Sequence, residues 1–267
     1  MFTAFITGCA TGFGRRLAER LLAQGHRVVA TDRDPRTLDD LGPPGRVLKL
    51  ALDVRHNDQV TAAVDAALAW GPVDVLVNNA GHAVFGTQEE VPLADIQDLF
   101  DVNVYGPIRV TRALLPALRA SRGTIVQLSS VAGRMVFPES GYYAATKFAV
   151  EALATALSQE TRSFGVRVRV IEPGAFATKF QKTAAAKSAP RSPESPYAGD
   201  HDTWDAQKLS VLESPQDPAL VVDAILASLD DEAPFIRIPV GLDSARILAA
   251  HDDIAPDAWV SAKKRES

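Results

Sequence analysis

The stretch MFTAFITGCATGFGRRLAERLLAQG constrains the fold of this chain more than any other. Residues 2–7 are apolar and β-favouring. Glycines stand at 8, 12 and 14. Residues 15–24 carry Leu17, Leu21 and Leu22 at helical spacing, and Gly25 stops them. A strand, a glycine turn and a helix N-terminus make an anion site, because unpaired backbone N–H groups and the positive helix end face one point. Glycine lets a ligand come close to that backbone. A pyrophosphate is the guest such a turn favours; a tight βα turn with no ligand is the plainer reading of the spacing by itself.

The rest of the chain repeats the alternation. Apolar runs at 27–32, 46–52, 73–77, 124–128, 166–171 and 235–238 read as strands, with helical patterns between them. Asp34-Pro35 reads as a cap and first residue of a short helix, and Asn57 as the cap of an alanine-rich one. A long helix is expected from Leu93, kinked by Pro107, and another over 141–164, ended by Gly165. The strands show little polar alternation, as when helices cover both faces of a parallel sheet. The order predicts an α/β fold: a doubly wound parallel sheet of Rossmann type, in three layers α/β/α, forming a single domain over 1–267. With 267 residues, 46% of them hydrophobic, the chain can bury a large core. The segment 179–217 breaks the pattern. It is rich in Ala, Ser, Pro and Lys and is expected to be a flexible substrate lid.

Net charge is −5 with no basic block, so nucleic acid is not an expected partner. No apolar run reaches the roughly 18 residues of a membrane span, so no membrane partner is expected either. The single cysteine, Cys9, excludes an intramolecular disulfide and points to a reducing compartment, with a cytoplasmic location expected. The histidines and the cysteine show no metal-ligand spacing, and no metal is expected.

The second strand ends at Asp32, where a dinucleotide site places its ribose reader. A carboxylate there accepts bonds from both ribose hydroxyls of NAD and repels a 2′-phosphate. Arg33 beside it could cover that phosphate or stack on adenine. NAD(H) is favoured, and NADP(H) stays open.

The run QLSSVAGRMVFPESGYYAATK holds the chemistry. Tyr143 and Lys147 are four apart on an expected helix and share a face. A free phenol titrates near about 10. An ammonium beside it favours the phenolate and lowers that value. A poised phenol can take a proton from an alcohol or return one to a carbonyl. Ser130 ends a strand, where its hydroxyl could hold the reacting oxygen. A surface Tyr–Lys pair with two loop serines is the plainer alternative, weakened by the glycine turn. Tyr142 and Tyr143 stand about 100° apart on a helix, and only Tyr143 has a lysine four residues on.

With these residues the sequence resembles the short-chain dehydrogenase/reductase family, in its compact single-domain branch. Thr7-Gly8-x-x-x-Gly12-x-Gly14 is similar to the family's cofactor turn, and Asn78-Asn79-Ala80-Gly81 to its NNAG motif. Asn103, Ser130, Tyr143 and Lys147 are similar to its catalytic tetrad, and Pro173-Gly174 followed by Thr178 to its nicotinamide-side motif. The resemblance implies an NAD(P)(H)-dependent oxidoreductase that passes a hydride between nicotinamide and a secondary alcohol or ketone. It implies Tyr143 as the general acid/base, with Lys147 lowering its pKa and holding the nicotinamide ribose. Ser130 would position the substrate oxygen. It precedes Val131-Ala132-Gly133 as the family's serine does, which leaves Ser129 as packing or support. Asn103 would support a water linking Lys147 to solvent. For the cofactor, the resemblance implies Thr7, Gly8, Gly12, Phe13 and Gly14 at the turn, and Asp53 and Val54 at the adenine. It implies Asn79, Ala80 and Gly81 on the sugar side, and Pro173, Gly174, Phe176 and Thr178 at the nicotinamide end.

The runs DVNVYGPIRVTRALLPALR, YYAATKFAVEALA and EPGAFATKF resemble 17β-hydroxysteroid and retinol dehydrogenase-like members, which implies a small-molecule alcohol or ketone with an apolar body. Family members often pair through the long helices after the fourth and fifth strands, here 93–118 and 141–164, implying a homodimer or homotetramer. Two alternatives stand beside this reading. One is a dinucleotide-binding regulator on the same fold without turnover. The other is a sugar-nucleotide epimerase or dehydratase, whose usual Gly-x-x-Gly-x-x-Gly this chain does not have. Cys9 reads as a small buried filler and His82 as part of the active-site mouth. Trp204, in the lid, either covers substrate or anchors the segment.

Overall fold

Seven strands form one sheet: β1 (Thr3–Thr7), β2 (Arg27–Asp32), β3 (Val47–Ala51), β4 (Val75–Asn78), β5 (Thr124–Leu128), β6 (Arg167–Pro173) and β7 (Phe235–Val240). Their order is β3-β2-β1-β4-β5-β6-β7, and every pairing is parallel. The structure is a computed structural model and describes residues 1–178, 180, 184, 188, 192–205 and 216–252. The chain starts mid-sheet, winds out to β3, then returns to lay β4 against the other side of β1. That reversal opens a crevice above the carboxyl ends of β1 and β4.

The helices are α1 (Gly12–Ala23), α2 (Asn57–Trp70), α3 (Leu93–Phe100), α4 (Gly106–Ser121), α5 (Gly141–Thr161), α6 (Ala219–Asp230) and α7 (Leu242–Asp252). They cover both faces because strand side chains alternate. Ala4 and Ile6 of β1 pack with Leu17 and Leu21 of α1 and with Val221 and Ile225 of α6. Phe5, between them, points the other way, into a core with Val64 of α2 and Val110 and Leu114 of α4. A strand buried on both faces cannot afford polar alternation, hence the continuous apolar runs.

Several expectations need correction. The helix from Leu93 is not merely kinked at Pro107. α3 ends at Phe100, a π-helical turn spans Asp101–Tyr105, and α4 begins at Gly106. Pro107 has no N–H to continue the ladder, and the backbone widens just before it, with the Gly106 N–H reaching the Asp101 carbonyl. Asn57 is the first residue of α2 rather than its cap. His56 holds the cap position in extended conformation, because a turn closed by His56 N–H to the Asp53 carbonyl (3.1 Å) reverses the chain earlier. Asp34 does cap its short helix, a 3₁₀ turn over Pro35–Leu38, by accepting from the Arg36 N–H. α5 stops at Thr161, followed by a 3₁₀ turn Arg162–Phe164 and Gly165 at φ +75°. α7 was not anticipated; its Ile247 packs on Met135 and Phe137.

Much of the expected lid, 179–217, lies outside the described residues. The stretch 192–205 is held to the loop after β4, with the Ser195 hydroxyl bonding the Glu90 carboxylate and Tyr197 donating to Glu89 at 2.8 Å. Among the described residues no helix is long and apolar enough to cross a membrane.

Candidate active site

A cavity of ≈ 550 Å³ fills the crevice, and every expected site residue lines it except Thr7, Gly14 and Asn103. Those three act from behind. The Thr7 hydroxyl accepts from the N–H groups of Asn79 and Ala80, both at 3.0 Å, tying β1 to the NNAG loop. A side chain on Gly14 would place Cβ 2.4 Å from both Asn79 Nδ2 and the Gly8 carbonyl oxygen. Asn79 in turn donates to the carbonyls of Thr7 (2.8 Å) and Gly8 (2.9 Å), so its amide nitrogen is spent on bracketing the turn. Asn103 sits in the π turn. It accepts from the His82 N–H (3.0 Å) and donates to the His82 carbonyl (2.8 Å) and to Thr146 Oγ1 (3.1 Å).

The glycine turn has the form an anion needs. Gly8 and Gly12 adopt φ of +74° and +65°, which a side chain would strain. Thr11, at the cap of α1, makes no side-chain capping bond, and Thr11, Gly12 and Phe13 all face the cavity. The positive end of α1 therefore opens on the cavity without a side-chain cap from Thr11. Asp32 accepts from the Ala10 N–H at 2.9 Å, which fixes its carboxylate beside the turn, with Arg33 next to it in the cavity wall. These residues fit a dinucleotide. Asp53 and Val54 line the far end, and Asp53 is not a bare carboxylate. Arg55 grips it through Nε (2.9 Å) and Nη2 (2.6 Å), and that hydrogen bonding holds its carboxyl below the usual range. Arg55 also binds Asp98, whose second oxygen is 3.4 Å from His82 Nε2. His82 lines the cavity as expected.

The reactive end gathers Ser130, Tyr143 and Lys147. Ser130 caps a short turn by accepting from the Ala132 N–H (3.1 Å), its hydroxyl donates to the Pro173 carbonyl at 3.4 Å, and it lines the cavity with Tyr143. Burial pushes the Tyr143 phenol up to about 12, with Ser130 opposing. Lys147 does not lower it. Its Nζ donates to the Leu128 carbonyl at 2.7 Å and lies 5.7 Å from the Tyr143 ring centre. Burial also pulls the Lys147 ammonium down to about 8, with Glu151 opposing. The expectation of a lysine-depressed phenol is thus corrected for the protein alone, because desolvation outweighs the pair. Tyr142 turns away and donates to the Gln88 carbonyl at 2.8 Å.

Phe85 and Phe180 flank the Tyr143 ring at 6.0 and 5.9 Å. No spacing in the sequence marked them, since single aromatics in loops carry no pattern. Phe176 meets Phe13 edge-on at 5.7 Å, closing the turn against the end of β6. Cys9 is buried, and burial raises its thiol to about 12, as suits a filler. Trp204 packs on Tyr197 and His201 and does not line the cavity.

The profile of the short chain dehydrogenase family matches residues 2–189. The chain is 34% identical to the oxidoreductase calM of Penicillium decumbens, across 93% of this chain and 86% of that protein. A short chain dehydrogenase from Burkholderia cenocepacia in complex with NADP aligns with a TM-score of 0.78 at 25% identity, over 98% of this chain and 96% of that one. A short chain dehydrogenase/reductase from Burkholderia phymatum in complex with NAD aligns with a TM-score of 0.78 at 28% identity, over 94% and 92%. The likeness runs through the doubly wound sheet, the glycine turn and the tyrosine–lysine helix alike: this chain belongs to the short-chain dehydrogenase family and is an NAD(P)-dependent oxidoreductase.

Proposed function

We propose that the protein moves a hydride between NAD(H) and a secondary alcohol or ketone with an apolar body, with Tyr143 as the general acid/base. The nicotinamide supplies the hydride chemistry; the chain supplies placement and protons. The observation that carries this reading is that Ser130, Tyr143 and Lys147 share one cavity wall, with the Tyr143 ring flanked by Phe85 and Phe180. A substrate oxygen held by the Ser130 hydroxyl lies within reach of the phenol. In reduction the Tyr143 phenol gives its proton to the carbonyl oxygen, and in oxidation its phenolate takes one from the alcohol. Raised by burial, the phenol carries its proton at neutral pH.

An ammonium has three donors, and Lys147 spends one on Leu128. The others would hold the nicotinamide ribose. The α1 end would hold the pyrophosphate, and the fixed Asp32 carboxylate the adenosine ribose hydroxyls, favouring NAD over NADP.

The test compares two tyrosines with a panel of apolar secondary alcohols. Tyr143→Phe should lower kcat by about 10²–10⁴-fold, the size of a lost acid/base step, while keeping NADH affinity. Tyr142→Phe should keep its rate. The reverse pattern would assign the proton to the wrong residue. Reduced cofactor accumulating in step with product distinguishes this reaction from an epimerisation.

A further inference from the structure

Behind the tyrosine–lysine pair lies a group of buried acids that the proposed chemistry does not use. Glu151 stands one helical turn after Lys147 on the same face of α5, and both are buried. Glu172, on β6 next to Pro173, is wholly buried. Arg237 of β7 holds Glu151 through Nε to Oε2 at 2.9 Å, and Arg134 Nη1 stands 3.5 Å from Glu172 Oε1. Even so, Glu151 Oε1 and both oxygens of Glu172 have no hydrogen-bond donor, nor has the neighbouring Ser129 Oγ. The space is tight: a side chain on Gly133 would put Cβ 2.6 Å from Ser129 Oγ and 3.0 Å from Glu151 Cγ. Two carboxylates packed into one buried site repel each other, which favours a proton on the one less well paired, and a proton turns an acceptor into a donor for its neighbours.

We propose that Glu151 and Glu172 are a positioning pair for Lys147, with the donor-less Glu172 carrying a proton and the Glu151 carboxylate keeping the Lys147 ammonium charged at the catalytic end of α5. The charges that act on the pair are Lys147 from the same helix, Arg134 from the turn after β5 and Arg237 from β7. Burial, then the Glu151 charge, raise the Glu172 carboxyl to about 7, and the two arginines oppose. Burial lowers Lys147, and Glu151 opposes that. Lys147 is thus helped to keep its charge by the Glu151 carboxylate, which Arg237 holds at 2.9 Å.

This inference rests on the oxidoreductase reading for its consequence but not for its test, which has one arm without cofactor or turnover. Infrared spectra of the protein should show a carboxylic-acid carbonyl band that titrates near pH 7 and is absent in Glu172→Gln, an isostere of the protonated acid. In pH–rate profiles, Glu151→Gln should move the alkaline limb of kcat down by about 1 pH unit as Lys147 loses its counter-charge. Glu151→Asp should restore the limb, and Glu172→Gln should shift it less than Glu151→Gln does. Absence of the titrating band overturns the protonated Glu172. A Glu151→Gln profile lowered equally at every pH, or a limb not restored by Asp, makes Glu151 a packing residue only. An inactive wild-type protein would instead count against the proposed reaction and leave the infrared arm to decide the pair.

Discussion

Gly14 has no room for a side chain, and its neighbours are the residues that shape the cofactor turn. Gly14→Ala must displace Asn79, which brackets Thr7 and Gly8. Overpacking of this kind costs about 1–3 kcal/mol, so melting should shift down and the NADH Kd should rise about tenfold. An unchanged Kd would show that the turn tolerates the shift. Asp32→Ala should weaken NADH and relieve discrimination against NADPH, because the carboxylate fixed by the Ala10 N–H is removed; equal affinities before and after would dismiss it as the ribose reader. Glu172 makes a third prediction. Its folded pKa, about 7, lies above the ordinary 4.5, so the folded state holds a proton that the unfolded state releases. Stability is full below about 4.5 and declines as pH rises toward 7. Melting curves of the wild type should fall across that window relative to Glu172→Gln, and parallel curves would contradict the raised value.

At the scale of the element, the π turn before Pro107 is the instructive case. The proline and the helical periodicity on both sides were legible, and so a kink was expected. The wider turn was not, because its register depends on Asn103 clamping both backbone groups of His82 across the site. Local sequence does not encode a bond to a residue 21 positions away. Asn103→Ala leaves a buried N–H and carbonyl without partners, a penalty of about 1–3 kcal/mol. Melting should drop by roughly 2–4 °C for each kcal/mol. A variant as stable as the wild type would mean the π turn does not need the clamp. The strands were read more closely: β2 and β5 have the bounds their apolar runs mark. Runs buried on both faces announce themselves, whereas Asn57 and His56 at the start of α2 were separated only by a turn invisible in composition.

For the molecule as a whole, order and spacing revealed the layers and most of the residues that line the crevice, since both are written in short-range patterns. The Phe85 and Phe180 walls, α7 and the acids behind Lys147 depend on packing between distant segments, and no local pattern marks them. The same long helices leave apolar side chains outward: Tyr105, beside α4, is 53% exposed and Phe148 of α5 is 44% exposed. Pairing of two copies through α4 and α5, which the family resemblance implies, would cover them. Light scattering should therefore give a dimer or tetramer, and a monomer at high concentration would refute the pairing. The central claim is that the turn after β1, Asp32 and the tyrosine–lysine helix form one dinucleotide-dependent site. The most direct test is to titrate the protein separately with NADH and NADPH by fluorescence or calorimetry. The account predicts tight NADH and weak NADPH. Preference for NADPH would contradict the role given to Asp32, and binding of neither would contradict the site.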